Sequence, residues 1–108
     1  MKSTAMWLSG LAFLAASQVA AAQDLGEARA GLAYAEQVCA ECHAVRSGRG
    51  PSPHERAPTF ESVANTRGMT AMALRVWLVS PHPSMPHLVL DANDTDNVVA
   101  YILSLKKR

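Results

Sequence analysis

Cys39-Ala40-Glu41-Cys42-His43 is the stretch on which the fold turns. It contains both cysteines of the chain, a C-x-x-C pair with an imidazole directly after the second thiol. The residues before it, from Asp24 to Cys42, are rich in Ala, Glu and Leu, and a helical period brings Leu32, Ala35, Val38, Cys39 and Cys42 close to one face. The pair therefore stands at the end of a predicted first helix.

Four chemistries compete for such a run. Two thiols on a helical turn can add to the vinyl groups of a haem while the next residue offers its imidazole to iron, which is the standard reading of C-x-x-C-H. A thioredoxin-like dithiol needs a βαβ context that the pattern does not contain. A closed structural zinc site takes four ligands, and there is no second cysteine pair to complete one. A plain disulfide would close a very short loop, gain little from chain entropy and leave His43 without a role.

Size and charge narrow the field further. The chain has 108 residues, 49% hydrophobic and 18% charged, so it is one small domain with the apolar content of a folded protein. That length excludes a dinucleotide-binding domain with a substrate domain, a kinase or an α/β barrel. A net charge of +1 without a long basic stripe argues against nucleic-acid binding.

Part of the apolar content belongs to the amino terminus. Lys2 precedes an apolar run from Ala5 to Ala16, and Ala20 and Ala22 form an A-x-A pattern before Gln23. This predicts a secretory signal peptide over residues 1–22 and one domain over 23–108. The run is shorter than the roughly 20 residues that span a bilayer, so no integral membrane span is expected in the mature chain. Cleavage would remove Lys2 and leave basic and acidic side chains equal in number.

An electron-carrying haem iron usually takes a second axial ligand, and the downstream sequence offers several. Met69 and Met72 open an apolar helical pattern, where methionine usually fills the core. Met85 lies instead in Pro81-His82-Pro83-Ser84-Met85-Pro86-His87, whose prolines forbid a regular helix and stiffen the loop. It is the expected partner of His43 on iron. His82 and His87 are rival imidazoles that otherwise face water or the rim of the site, and His54, in its own Pro-rich stretch, is expected in solvent.

Further periodicity completes an all-α fold of three main helices and a short one after Pro58. From Thr70 to Val79, Leu74, Trp77 and Leu78 share a face, and Pro81 stops the helix. A last helix is predicted to start near Asn93, capped by Asn93 or Thr95, with Asp94 and Asp96 in its first turn and Val98, Val99, Ile102, Leu103 and Leu105 on its apolar face. Lys106, Lys107 and Arg108 then fall at its negative end. No run alternates as a strand leading to a hairpin.

Taken together, these residues resemble the small class I cytochromes c, most closely the short bacterial single-haem type with a Trp-Leu-x-x-Pro-His-x-x-Met-Pro stretch, here Trp77 to Pro86. The resemblance covers residues 24–105. It implies one haem c held through thioethers from Cys39 and Cys42, with His43 and Met85 on the iron. It also implies a Gly eight residues before the first Cys, here Gly31, crossing the last helix opposite an aromatic, here Tyr101. Where the family often carries an aromatic four residues before the first Cys, this chain has Ala35, with Tyr34 one step earlier. Pro58, in Ala57-Pro58-Thr59-Phe60, corresponds to the proline whose carbonyl accepts from the proximal imidazole, and Trp77 is expected to pack in the core or against the haem.

Function follows from that ligation. Iron held on both sides has no open position for a substrate, so the expected protein is a periplasmic electron carrier and not an enzyme, and nothing in the sequence pairs a nucleophile with a base. Its partners would be a donor and an acceptor redox protein, met briefly by a monomer with little electrostatic steering and with the 82–90 loop as an apolar contact patch. Two other readings carry the same motif: a haem-based gas sensor or ligand binder with a labile sixth position, and a dedicated cytochrome subunit of a periplasmic dehydrogenase or oxidase complex.

Overall fold

The computed structural model describes residues 26–86 and 88–108; the expected signal peptide over 1–22 and His87 lie outside them. Four helices follow in order, α1 (Ala28–Val38), α2 (Phe60–Ala64), α3 (Ala71–Val79) and α4 (Ala92–Ser104). Among the described residues the extended backbone pairs at one isolated bridge, between His82 and Met85. The all-α expectation, three main helices and a short one, matches this order.

Local signals set most of the boundaries. Thr59 and Thr70 cap α2 and α3 by accepting from the amides of Ser62 and Ala73, each at 3.1 Å. The start of α4 differs from expectation: Asp91, and neither Asn93 nor Thr95, is the cap, because its carboxylate accepts from Asp94 N at 2.7 Å. Thr95 is buried in the first turn, where its hydroxyl donates to Asp91 O at 2.8 Å. Glu27, at the start of α1, caps nothing with its own side chain. Its amide donates to Asn97 Oδ1 of α4 at 2.8 Å instead, so a tertiary contact satisfies that helix end.

α1 crosses α4 almost backbone to backbone. A Cβ added at Gly31 would lie 1.9 Å from Asn97 O and 2.8 Å from Tyr101 Cβ, so only glycine fits the crossing. Gly26 sits equally close, with its missing Cβ directed 2.1 Å from Asp96 O. Behind the crossing Ala35, Val45, Phe60, Ala64, Leu74, Val98, Val99, Tyr101 and Ile102 form the buried core. Ala35 is fully buried there, and Tyr34 packs half-buried against the same cluster.

Two side chains depart from their expected places, Met72 and Asp96. Met72 is 72% exposed, not core filler; of the two places expected for Trp77, in the core or against the haem, its 58% exposure excludes the core. Asp96, expected as a solvated first-turn charge, accepts from Arg75 of α3 at 2.6 Å and ties α3 to α4. The basic tail also lies past the last turn of α4, where Lys107 N donates to Asn65 Oδ1 at 2.8 Å and Lys106 Nζ to Met69 O at 2.9 Å.

Candidate functional site

α1 ends in a turn that presents the cysteines. Cys39 is its C-cap and its amide still donates to Ala35 O at 2.8 Å, while His43 N closes the next turn onto Cys39 O at 2.9 Å. Both thiols are free and half-buried, so the disulfide reading does not describe this structure. Burial pushes the Cys39 thiol up to about 11, which keeps it protonated at neutral pH.

The loop between α1 and α2 folds back onto that turn. Ser52 Oγ accepts from Ala44 N at 3.0 Å, His54 N donates to Cys42 O at 3.1 Å, and Phe60 N donates to Ala44 O at 2.9 Å. These bonds deliver the carbonyl of Pro58 to the His43 ring, and Nδ1 donates to it at 2.6 Å. A carbonyl can only accept, so the neutral imidazole carries its proton on Nδ1 and keeps the Nε2 lone pair free for a metal. Phe60 stands 5.3 Å from the imidazole, ring centre to ring centre and tilted by 51°, and limits its rotation from the core side.

Beside His43 runs a groove of about 310 Å³ walled by Ala40, Ala44, Val45, Pro51 and Pro53, with Arg46 at its edge. Arg46 is held by Glu36 at 2.5 Å, an exposed pair whose contribution is about 0–1 kcal/mol. Among the described residues no three His, Cys, Asp or Glu side chains converge to hold an ion. The zinc alternative has no ligand set there.

Met85 lies in the loop that follows α3. Pro81 ends α3 as expected, and the loop turns so that His82 and Met85 pair in antiparallel fashion, both half-buried. His82 lies flat on Trp77, with ring centres 3.7 Å apart and planes 18° from parallel, and its Nε2 donates to Trp77 O at 2.7 Å. The structure thus joins His43 to Pro58, and Trp77 to His82 to Met85. Met85 does not line the groove beside His43.

Sequence reasoning treated His82 as a rim residue or a rival ligand and missed this contact with Trp77. The available signal was the Pro81 turn between them, which folds the chain back onto the end of α3. His54 is exposed, as expected, and its Nδ1 accepts from Arg56 N at 3.2 Å.

The chain is 34% identical over 96 residues to cytochrome c-552 of Bradyrhizobium diazoefficiens, a match that spans 89% of this chain and 88% of that protein. No family model matches it, and no solved structure does. Among the described residues no helix is long and apolar enough to cross a membrane.

Proposed function

The chain belongs to the class I monohaem cytochrome c family, and on that premise we propose that it is an exported electron-transfer protein whose single haem c is held by Cys39 and Cys42 and ligated by His43 and Met85. The observation that carries this reading is the hydrogen bond from His43 Nδ1 to Pro58 O at 2.6 Å, because it leaves Nε2 as the only basic nitrogen of the ring. The residues present fit the group. Cys39 and Cys42 are free thiols one turn apart, suited to thioether formation, and the apolar faces of Trp77, Val76 and Val79 stand exposed on α3 nearby in sequence to Met85.

Bound there, haem supplies a reversible one-electron couple. The protein's own part is to hold and to exclude. The Pro58 carbonyl fixes the imidazole tautomer and increases the donor strength of Nε2. The thioether of Met85 would be a soft donor to the haem iron, one that favours the ferrous state and raises the potential and that would leave the iron closed to a substrate. Residues 1–22 would direct the chain out of the cytoplasm, to a periplasm where a donor and an acceptor redox protein meet it as a monomer.

The test is the absorption spectrum of protein exported from a host with haem-attachment machinery, oxidised, reduced and with carbon monoxide added. A covalent low-spin haem with a methionine-to-ferric-iron charge-transfer band and no carbon monoxide response is expected, and Met85→Ala should abolish the band and admit carbon monoxide. Absence of covalent haem overturns the reading. Carbon monoxide binding by the unmutated protein moves it to a sensor or ligand binder.

A further inference from the structure

A ligand on a loop binds only as firmly as the loop itself is seated. Pro81, Pro83 and Pro86 remove backbone donors from the Met85 loop, so secondary structure can do little to fasten it. The end of α3 is completed before the loop begins, by Ser80 N on Trp77 O at 3.2 Å and Ser80 Oγ on Val76 O at 2.5 Å. Beyond it, among the described residues, one side-chain hydrogen bond reaches from 81–86 to another element: His82 Nε2 donating to Trp77 O. The same imidazole stacks on the Trp77 indole, and the same residue pairs with Met85 across the turn.

We propose that His82 is a positioning residue for the methionine ligand: its ring, stacked on Trp77 and hydrogen-bonded to the Trp77 carbonyl, fixes the seat of the Met85 loop and so sets how readily an outside ligand displaces the Met85 sulfur. This rests on Met85 being an axial ligand. The tie joins two partly exposed segments, and neither Trp77 nor His82 belongs to the buried core, so losing it loosens the loop and not the fold. An outside ligand binds only molecules whose loop has swung away, and its apparent affinity is the intrinsic affinity multiplied by that open fraction. A tie made of one hydrogen bond and one aromatic stack holds the open fraction down by about tenfold.

The experiment is a titration of the ferric holoprotein with imidazole, followed by loss of the methionine charge-transfer band, alongside denaturant unfolding of each variant. His82→Ala should bind imidazole about tenfold more tightly with its denaturant midpoint unchanged. His82→Phe, which keeps the stack, and His82→Gln, which keeps a donor for the Trp77 carbonyl, should fall between. Nitrogen NMR of the unmutated protein should find His82 protonated at Nε2 and not at Nδ1. If the unmutated protein shows the band and His82→Ala binds imidazole within about twofold of it, the proposal is overturned and Met85 ligation stands. Equal loosening in all three variants together with a lowered denaturant midpoint also overturns it, as a general structural effect. If the unmutated protein lacks the band and Met85→Ala leaves its spectrum unchanged, Met85 ligation itself fails and the proposal falls with it.

Discussion

Gly31→Ala puts the helix crossing to a quantitative test. Alanine at a helix interior gains about 1 kcal/mol of intrinsic propensity over glycine, so in an open helix the change would stabilise. Here the new Cβ would stand 1.9 Å from Asn97 O, and α1 must retreat by about 1.1 Å to reach the 3.0 Å below which real Cβ contacts do not fall. The opposing atom is backbone of α4 and cannot rotate aside. Overpacking of this kind costs about 1–3 kcal/mol, and the retreat also stretches the Glu27 N to Asn97 Oδ1 bond, a further loss of about 1 kcal/mol. The net expectation is destabilisation by about 2 kcal/mol, or a fall in Tm of roughly 8–16 °C for a domain of this size. Denaturant and thermal unfolding of the holoprotein, followed by far-ultraviolet circular dichroism, measures it. Gly31→Val should lose more than Gly31→Ala. A neutral or stabilised Gly31→Ala would refute the close crossing, because propensity alone would then decide the outcome.

Two further outcomes follow from the core. Tyr101→Phe removes the phenol that donates to Val45 O in a buried setting and should cost about 1–3 kcal/mol in denaturant unfolding. Burial first, and then the nearby Glu36, holds the Tyr101 phenol above its ordinary 10.0 against a lowering by Arg46, and burial with Asp94 raises Tyr34. A raised folded value means that the native state holds the proton more tightly. This share of stability is therefore whole below about pH 10 and is lost as pH rises through the folded values, a loss that Tyr101→Phe should make shallower. Replacing Cys39 and Cys42 together by Ser should leave a largely unfolded apoprotein by circular dichroism, because the buried core is small and cofactor binding adds directly to folding; a stable, fully helical double variant would contradict it.

Local chemistry made much of this fold legible. Thr70 before an apolar turn and Pro81 after it bracket α3, and the run of Ala, Glu and Leu before Cys39 places the cysteine pair at a helix end. The misplaced side chains share a cause, which is that a partner distant in sequence decides them. Asp96 reads as a first-turn charge until α3 is folded against it and Arg75 binds it, while Asn97 receives the Glu27 amide from α1. Asn65 carries no motif, yet its side chain receives Lys107 N at 2.8 Å and donates to Leu105 O at 3.2 Å, fastening the carboxy terminus to α2. Trp77 has the helical phase of a core residue, but Leu74 takes the buried position and the indole meets His82 instead. The α4 cap shifted by two residues because three acidic or amide side chains in close succession are all competent caps, and only the geometry of Asp91 reaches Asp94 N.

These distant partners converge on α4, and that convergence explains how a small chain can hold two remote ligand candidates in register. His43 is referenced to α4 twice: α1, which ends at the cysteine pair, crosses it at Gly31, and the segment just after His43 is pinned when Tyr101 donates to Val45 O. The Pro58 carbonyl is referenced through Phe60, whose ring lies 6.4 Å from Tyr101. Met85 is referenced through α3, which Arg75 ties to Asp96 one turn from the same crossing. The Arg75 pair has side chains less than a third exposed, so solvent screens it less than the Arg46–Glu36 pair at the surface. α4 is therefore the common reference for both segments. The asymmetry lies in what flanks each ligand: the His43 turn is backed by buried Val45, Phe60 and Tyr101, whereas the Met85 side ends in one imidazole resting on an indole that is 58% exposed. Local opening is drawn from the least-buried contacts of a structure, so the methionine side is where this molecule yields first.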